Sequence, residues 1–447
     1  MQSTRLSATR LAAFVSPEAP FSAFLMVIVV FVPPFYAGEM GLGLSAVGLI
    51  FGLTKVWDLL TDPAFGVLSD RWHTRWGRRM PWLVASVPVL GICTYMVLVP
   101  SPGVTSTYFA VWMVVLYVGW TMGTVSHIAW AAELSSDYHE RSRISAYKQA
   151  AALLGSLGLI TLVALAENTA GMNEAARLKL ISMMLIVLLP LTVTAALWAT
   201  PEPKTHTKAT AQATPDTISQ IIGNGPLRRL LAANLLLGVA SGAQGGMILF
   251  YVEDVLHLGS WSSLAIIPFL FSGLLFLPLF VSLSKRIGKH RSLSYALVYQ
   301  IVAGLLFLLI PEGSLLLAGS AFLLMGASGS VSTFIPRAMM ADVGDMDTAR
   351  TGNQRTALYM SLLQSTSKIA AALAVGVSYP ILSAIGFDPA PEATNSEGAL
   401  FGLRMMMFAF PGMAFALVIL LMHNFPLNEV DQRALREKIE ARLARAV

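Results

Sequence analysis

The chain has 447 residues, 55% of them hydrophobic and only 12% charged, with 30 Lys and Arg against 25 Asp and Glu. A soluble chain normally carries about 25% charged residues, so this composition excludes a water-soluble globule and implies a large surface facing lipid. A single cysteine, Cys93, excludes an internal disulfide framework and a metal site built on thiolates.

Apolar runs of about 20 residues predict twelve spanning helices. Their cores fall at 20–37, 45–69, 81–100, 107–132, 144–166, 179–199, 229–252, 261–284, 292–310, 314–340, 356–382 and 401–423. The first follows a basic N-terminus (Arg5, Arg10) with no clean small-residue cleavage site, and so reads as a retained helix. The connecting segments alternate in charge. One set carries Arg71, Arg75, Arg78 and Arg79, then Arg141 and Arg143, then Lys204, Lys208, Arg228 and Arg229, then Lys285, Arg286, Lys289 and Arg291, then Arg350 and Arg355. The other set holds Glu39, Glu253, Asp254 and Glu312, with few bases beyond Arg177 and Lys179. The positive-inside rule places the first set, and both termini, in the cytoplasm. That topology, rather than nucleic acid, accounts for the excess of basic residues.

The stretch Pro201 to Arg228 is too polar and threonine-rich to span, and divides the helices six and six. The expected organisation is an N-terminal six-helix bundle at 1–200, a cytoplasmic linker at 201–228, a C-terminal six-helix bundle at 229–424 and a cytoplasmic amphipathic tail at 425–447. The fold class is therefore an all-α membrane protein of twelve transmembrane helices in two bundles. The halves repeat a plan. GVLSDRWHTRWGRRMPW (66–82) after the second helix matches VSLSKRIGKHRS (281–292) after the eighth in position, and AELSSDYHERSR (132–143) matches ADVGDMDTARTGNQR (341–355). Such weak internal symmetry is expected of a transporter with its site between two bundles near the midplane.

Within the second helix, Asp58 and Asp62 stand one turn apart in the apolar stretch from Ser45 to Ser69. A carboxylate near the bilayer centre costs at least ~2.5 kcal/mol, so intramembrane acids face cavities and act there. A spacing of four puts both on one face, where they could hold a small cation. Lys55 lies three residues before Asp58, but one base cannot neutralise two acids. Thr61 and Thr121 offer neutral hydroxyl oxygens to complete a shell. Oxygen ligands suit a hard ion such as sodium, and a shared proton is equally compatible. No other metal site and no cofactor are expected, the coupling ion being Na+ or H+.

Lys368, set deep in the eleventh helix, is expected to meet the acid pair across the halves and compete with the cation. Asp70, Arg71, Arg78 and Arg79, then Glu133, Asp137, Glu140 and Arg141, and their mirror Asp342, Asp345 and Arg350, are expected either to gate by salt bridges at the cytoplasmic edge or to serve as plain topogenic clusters. Thr124, His127, Trp130, Tyr147, Lys148 and Gln149 in the fourth and fifth helices, with Gln244, Arg337 and Gln364 from the other half, are candidates for substrate contact and equally for helix packing. Lys148 could meet an anionic group. No GxxxxGKS loop, nucleophile motif or His and Cys cluster is present, which argues against an ATP-driven pump or an enzyme. The expected partners are a small-molecule substrate and membrane lipids, and the expected state is a monomer.

KVWDLLTDPAFGVLSDRWHTRWGRRMPW resembles the WDxxxDPxxGxxxDxxxxxxGRxxPW signature of the glycoside-pentoside-hexuronide:cation symporters of the major facilitator superfamily. AAELSSDYHERSRI is similar to the family's PELTxDxxERT segment, and MADVGDMDTARTGNQRTALYMSLLQSTSKIA to its ADxxDYxxxxTGxRxxGxxxSxxxFxxK segment. The resemblance implies the major facilitator fold and alternating access in a bacterial inner membrane, with Asp58 and Asp62 as cation-binding acids, Thr121 as a helix-four ligand and Lys368 as a coupling lysine. Sugar-recognising members carry an aspartate in helix one, an aspartate in helix four and an arginine in helix five, where the nearest residues here are Ser22, Thr124 and Gln149. ERSRISAYKQ is also similar to a segment of the vertebrate sodium-dependent lysophosphatidylcholine symporters, which would put Lys148 near a lipid headgroup. The implied function is cation-coupled symport of a small organic solute, first a sugar or glycoside. The alternatives are a lysophospholipid or similar amphiphilic anion, and proton-coupled export.

Overall fold

The computed structural model describes residues 6–72, 74–134, 138–170, 172–200, 223–351, 356–390 and 393–426. Most of the expected linker, 201–222, and most of the expected tail, 427–447, lie outside the described residues. Among the described residues the regular elements are helices, apart from one isolated bridge between Thr74 and Gly77.

Among the described residues, twelve helical stretches are long and apolar enough to cross a membrane, in line with the all-α, twelve-span expectation. They are α1 (Ala8–Ala37), α2 (Leu44–Ser69), α3 (Met80–Leu98), α4 (Ser106–Ala131), α5 (Arg143–Thr169), α6 (Glu174–Ala199), α7 (Gly225–Val255), α8 (Ser262–Ile287), α9 (Lys289–Leu309), α10 (Leu315–Ala349), α11 (Leu358–Ala384) and α12 (Glu397–Met422). The first differs most from the sequence-based expectation. It begins at Ala8 rather than near residue 20, because the apolar run LAAFV (11–15) is already helical ahead of a turn at Ser16 and Pro17. Proline lacks an N–H and breaks the hydrogen-bond ladder at that point, and the helix resumes at Glu18.

Local chemistry sets several boundaries. The Thr105 hydroxyl accepts from the Tyr108 N–H at the start of α4, the Asn173 side chain from the Ala176 N–H at α6, and the Asn224 side chain from the Leu227 N–H at α7, each satisfying an orphan donor of a first turn. Gly288 takes φ 90° between α8 and α9, a left-handed turn that delivers Lys289 to the head of α9.

The chain forms two compact units, one of residues 1–209, 259–264 and 379–396, the other of 210–258, 265–378 and 397–447. In the first, the Tyr36 ring stacks on Phe109 at 3.8 Å and its hydroxyl donates to the Val97 carbonyl at 2.9 Å, anchoring α1 to α3 and α4. Gly155 of α5 packs directly on the Ala19 backbone of α1, and the Ser22 and Ser156 hydroxyls bond at 2.7 Å beside it. In the second, a core of Leu227, Leu237, Ala240, Tyr359, Phe415 and Val418 joins α7, α11 and α12. A Cβ at Gly238 or Gly242 would meet the Cβ of Ala370 or Ala374 at 2.5 and 2.6 Å, so small residues four apart let α7 and α11 approach. Small residues serve this purpose in lipid, where apolar burial alone gives helices no reason to associate.

Candidate functional site

On α2 the four-residue spacing brings Asp58 and Asp62 to one face, and the packing of α2 on α4 brings Thr121 to them. The Thr121 hydroxyl donates to Asp62 Oδ1 at 2.9 Å and stands 3.3 Å from Asp58 Oδ1. Thr61 Oγ1 lies 3.4 Å from Thr121 Oγ1 and donates to the Asp58 carbonyl at 3.2 Å. Asp58 is buried, at 2% exposure, and so is Lys55, whose ammonium sits 4.4 Å from the centre of the Tyr117 ring and interacts with both acids electrostatically. Two carboxylate oxygens and two hydroxyl oxygens thus converge beside Lys55. This donor set suits a hard monovalent cation carried as cargo, or a proton. Among the described residues no group of three or more His, Cys, Asp or Glu is gathered as a transition-metal site would require.

A second cluster surrounds Glu18, a residue not singled out in the sequence. His127 Nδ1 lies 2.9 Å from Glu18 Oε1 and Lys148 Nζ 2.8 Å from the same oxygen. His127 Nε2 donates to the Phe14 carbonyl at 3.0 Å, just ahead of the break at Ser16–Pro17. Phe14 also packs against the imidazole and the fully buried Trp130 ring. Of the other sequence candidates in this bundle, Thr124 donates its hydroxyl to the Trp120 carbonyl at 2.8 Å, Tyr147 lies beneath the Arg143 guanidinium, and Gln149 is exposed. The signal for Glu18 was present: an acid inside an apolar stretch, directly after a proline.

In the second unit, Lys368 is half-buried on α11. One residue before it, Ser367 accepts from Asn234 Nδ2 of α7 at 3.0 Å, and the Leu363 carbonyl accepts from the same group at 3.2 Å. Gln244 Nε2 donates to the Met407 carbonyl, while Gln364 and Arg337 are exposed.

The basic and acidic loops form matching links in the two halves. The helix of α4 continues to Glu133, whose Oε1 receives Arg78 at 3.2 Å and Arg79 at 3.1 Å; Arg79 also donates to the Ser69 hydroxyl at 2.8 Å. This knot ties the end of α2, the start of α3 and the end of α4. Its counterpart is Lys289 at the head of α9, bonded to both Asp342 oxygens of α10 at 2.6 and 2.8 Å. Asp345 is half-buried one turn on, Arg71 is exposed, and Glu140 pairs with Arg143 at 3.0 Å. Asp137 and the side chains of Asp70, Arg141 and Arg350 lie outside the described residues. Sequence reading also passed over a further buried link. Arg177 of α6, 7% exposed, joins Glu167 of α5 at 2.9 Å and Glu174 at 3.1 Å, and stands 5.0 Å from the Phe31 ring.

Over most of its length the chain is similar to known membrane transporters. A putatively assigned 2,3-dihydroxypropane-1-sulfonate exporter of Salmonella typhimurium is 26% identical over 422 residues, covering 91% of this chain and 90% of the relative. The sodium-dependent lysophosphatidylcholine symporter 1-B of Danio rerio is 23% identical over 461 residues, covering 93% and 84%. The crystal structure of the nucleoside transporter NupG superposes with a TM-score of 0.66 at 12% identity, over 94% of this chain and 100% of that one, a likeness of fold alone. The family model described as MFS/sugar transport protein matches residues 13–429. The chain therefore belongs to the MFS/sugar transport protein family and is an integral, multi-pass membrane transporter.

Proposed function

We propose that the chain couples the movement of a small organic solute, a sugar or glycoside, to Na+ or H+ by alternating access in a bacterial inner membrane. The observation that carries this reading is the convergence of Asp58, Asp62, Thr61 and Thr121 within two spans. Acids at that depth are costly unless they do work, and a cation is the simplest ligand to relieve them. Bound there, it offsets carboxylate charge. Lys55, already drawn to both acids, and Lys368 tie the occupancy of this site to the solute. Coupling is a shared free energy, so solute and cation each tighten the other. The six-helix halves 1–200 and 229–424, joined by 201–228, are the moving parts. The tail at 425–447 lies with both termini at the cytoplasmic face, and the protein works as a monomer. Thr124, His127, Trp130, Lys148, Gln149 and Gln364 contact the solute. The Arg78, Arg79 and Glu133 knot and the Lys289 to Asp342 pair lock the cytoplasmic ends in one state, and Asp70, Arg71, Asp137, Arg141, Asp345 and Arg350 belong to the same gating set.

The test is Asp62→Asn in proteoliposomes. Cation-stimulated accumulation should disappear, and accumulation that stayed fully sodium- or proton-dependent would refute the mechanism. A second reading, an amphiphilic or otherwise anionic solute, draws on one specific observation, the Lys148 ammonium held on Glu18 beside the imidazole of His127. The sulfonate named for the Salmonella relative and the lysophospholipid named for the zebrafish one both carry an acidic group.

A further inference from the structure

The Glu18 cluster has a definite charge that follows from its bonding alone. Both nitrogens of His127 face oxygens that only accept: the Phe14 carbonyl at 3.0 Å and the Glu18 carboxylate at 2.9 Å. For both contacts to be hydrogen bonds, one proton must lie on Nε2 and a second between Nδ1 and Glu18 Oε1. That second proton makes either an imidazolium facing a carboxylate or an imidazole facing a carboxylic acid. The pair is neutral in both cases. Adding the Lys148 ammonium at 2.8 Å leaves the three groups with one net positive charge, wherever the shared proton sits. His127 is fully buried, and Lys148 and Glu18 are 17% and 20% exposed, so water screens this charge poorly.

Among the described residues, no neighbouring element supplies a compensating acid. The charged groups acting on Glu18 are those of His127 and Lys148. Elsewhere on α1, Arg10 is exposed. On α4 and its extension, Glu133 is taken by Arg78 and Arg79; just ahead of α5, Glu140 is taken by Arg143, and on α5 Tyr147 lies under that arginine and Glu167 is taken by Arg177. On α6 the charged residues Glu174, Arg177 and Lys179 fall in the first two turns, with Glu174 and Arg177 paired. On α2, Asp58 and Asp62 belong with Lys55 and Thr121.

We propose that Glu18, His127 and Lys148 form a proton-linked anion site, which takes the carboxylate, sulfonate or phosphate group of an organic solute on Lys148 while the Glu18–His127 pair retains its shared proton. This rests on the reading of the chain as a solute carrier and specifies its solute as acidic. An anion cancels the excess charge that the proton creates, so proton and anion bind together. When the proton leaves, the cluster becomes neutral and the anion loses its electrostatic reason to stay.

The experiment is calorimetric titration of the full-length protein in detergent, over about pH 6 to 9. The probes are glucuronate against glucose, 2-hydroxyethanesulfonate against ethylene glycol, glycerol 3-phosphate against glycerol, and lysophosphatidate against monoacylglycerol. The last pair separates a lipid headgroup from a free acid. At least one acid should bind at least about tenfold tighter than its neutral counterpart, and weaken by up to about tenfold per pH unit on the alkaline side, as one linked proton requires. Lys148→Gln should abolish the preference for the acid, and His127→Gln its pH dependence. Glu18→Gln should strengthen acid binding by releasing Lys148. A cluster that only holds helices together would lose affinity in all three variants alike. Stabilisation by sodium or by protons, read on each variant by melting, confirms that it is folded. Acids binding no tighter than their neutral counterparts in any pair, or Glu18→Gln weakening acid binding as Lys148→Gln does, would overturn the proposal. Cation coupling that persisted undiminished in Asp62→Asn would instead count against the symport mechanism and leave the anion site standing.

Discussion

Thr121→Val keeps the branched shape of the side chain and removes one hydroxyl from a position within 3.3 Å of both carboxylates. That oxygen has two uses. Without a cation its proton bridges the acids, and with one it turns its lone pairs inward as a neutral ligand. A hydrogen bond to a charged group is worth about 1.5–3 kcal/mol, and each 1.4 kcal/mol is about tenfold in affinity, so the cation concentration for half-maximal transport should rise roughly 10- to 100-fold. Thr121→Ser keeps the hydroxyl and should stay within about threefold of the parent, a shift smaller than the loss of one such bond. The assay is the initial rate of solute entry into proteoliposomes, against cation concentration at fixed pH and saturating solute. A Thr121→Val half-saturation within about twofold of the parent would show that the α4 hydroxyl is not part of the cation shell, whatever Asp62→Asn did.

Three further expectations concern stability. Arg177→Gln strips the ion partner from Glu167, which is 4% exposed; breaking a buried pair on one side costs about 3–5 kcal/mol, so the melting temperature should fall, and Glu167→Gln in the same chain should recover part of it. Lys289→Met and Asp342→Asn, combined in a double-mutant cycle, should show a coupling of only about 1 kcal/mol, because Lys289 keeps 33% of its side chain in solvent. Gly155→Leu drives a side chain into the Ala19 backbone and should cost about 1–3 kcal/mol or more, read as lost folded yield, whereas Gly158→Leu, with open space at its Cβ, should be tolerated.

What could be read from the sequence followed from how strongly each signal violated its surroundings. Asp58 and Asp62 stand out because two acids one turn apart in an apolar stretch have few structural justifications, and Thr121 joins them on the packing of α2 against α4. Glu18 escaped because starting the first span near residue 20 left it outside, although LAAFV already lay in the helix. Pro17 disguised one helix as a boundary. His127 and Lys148 were visible as single candidates, but the sequence could not show that they share an oxygen, because they reach Glu18 from 109 and 130 positions away. The loop charges show the same limit. The internal repeat pointed to matching loops after the second and eighth helices, yet only the fold shows that the acid closing α4 takes Arg78 and Arg79 while Asp342 takes Lys289. Arg177 passed as one of the few outer-side bases because its partners are 10 residues before it and 3 residues before it, across a helix turn and a loop.

The two clusters also bear on why loading one ligand should favour loading the other. Counting Lys55 as its base, the Asp58 and Asp62 cluster has one acid in excess, and the Glu18 cluster has one positive charge in excess. Thr121 and His127, which mark them on α4, are six residues apart, about 9 Å along a helix axis. Opposite unit charges at roughly 9–15 Å and an effective dielectric near 20 attract by about 1–2 kcal/mol. A cation bound alone discharges the first cluster and forfeits that attraction, and an anion bound alone discharges the second with the same penalty. When both are bound the attraction is forfeited only once, so the pair of ligands is favoured by about 1–2 kcal/mol, or roughly 5- to 30-fold in mutual affinity. Half-loaded states are thereby disfavoured by charge alone. The check is the dissociation constant of the acidic probe with and without saturating cation: the cation should tighten it within that range in the parent and leave it unchanged in Lys148→Gln, where the second cluster no longer carries the charge. A cation effect that survived Lys148→Gln undiminished would mean that the coupling runs through movement of the helices rather than through the field between these two groups.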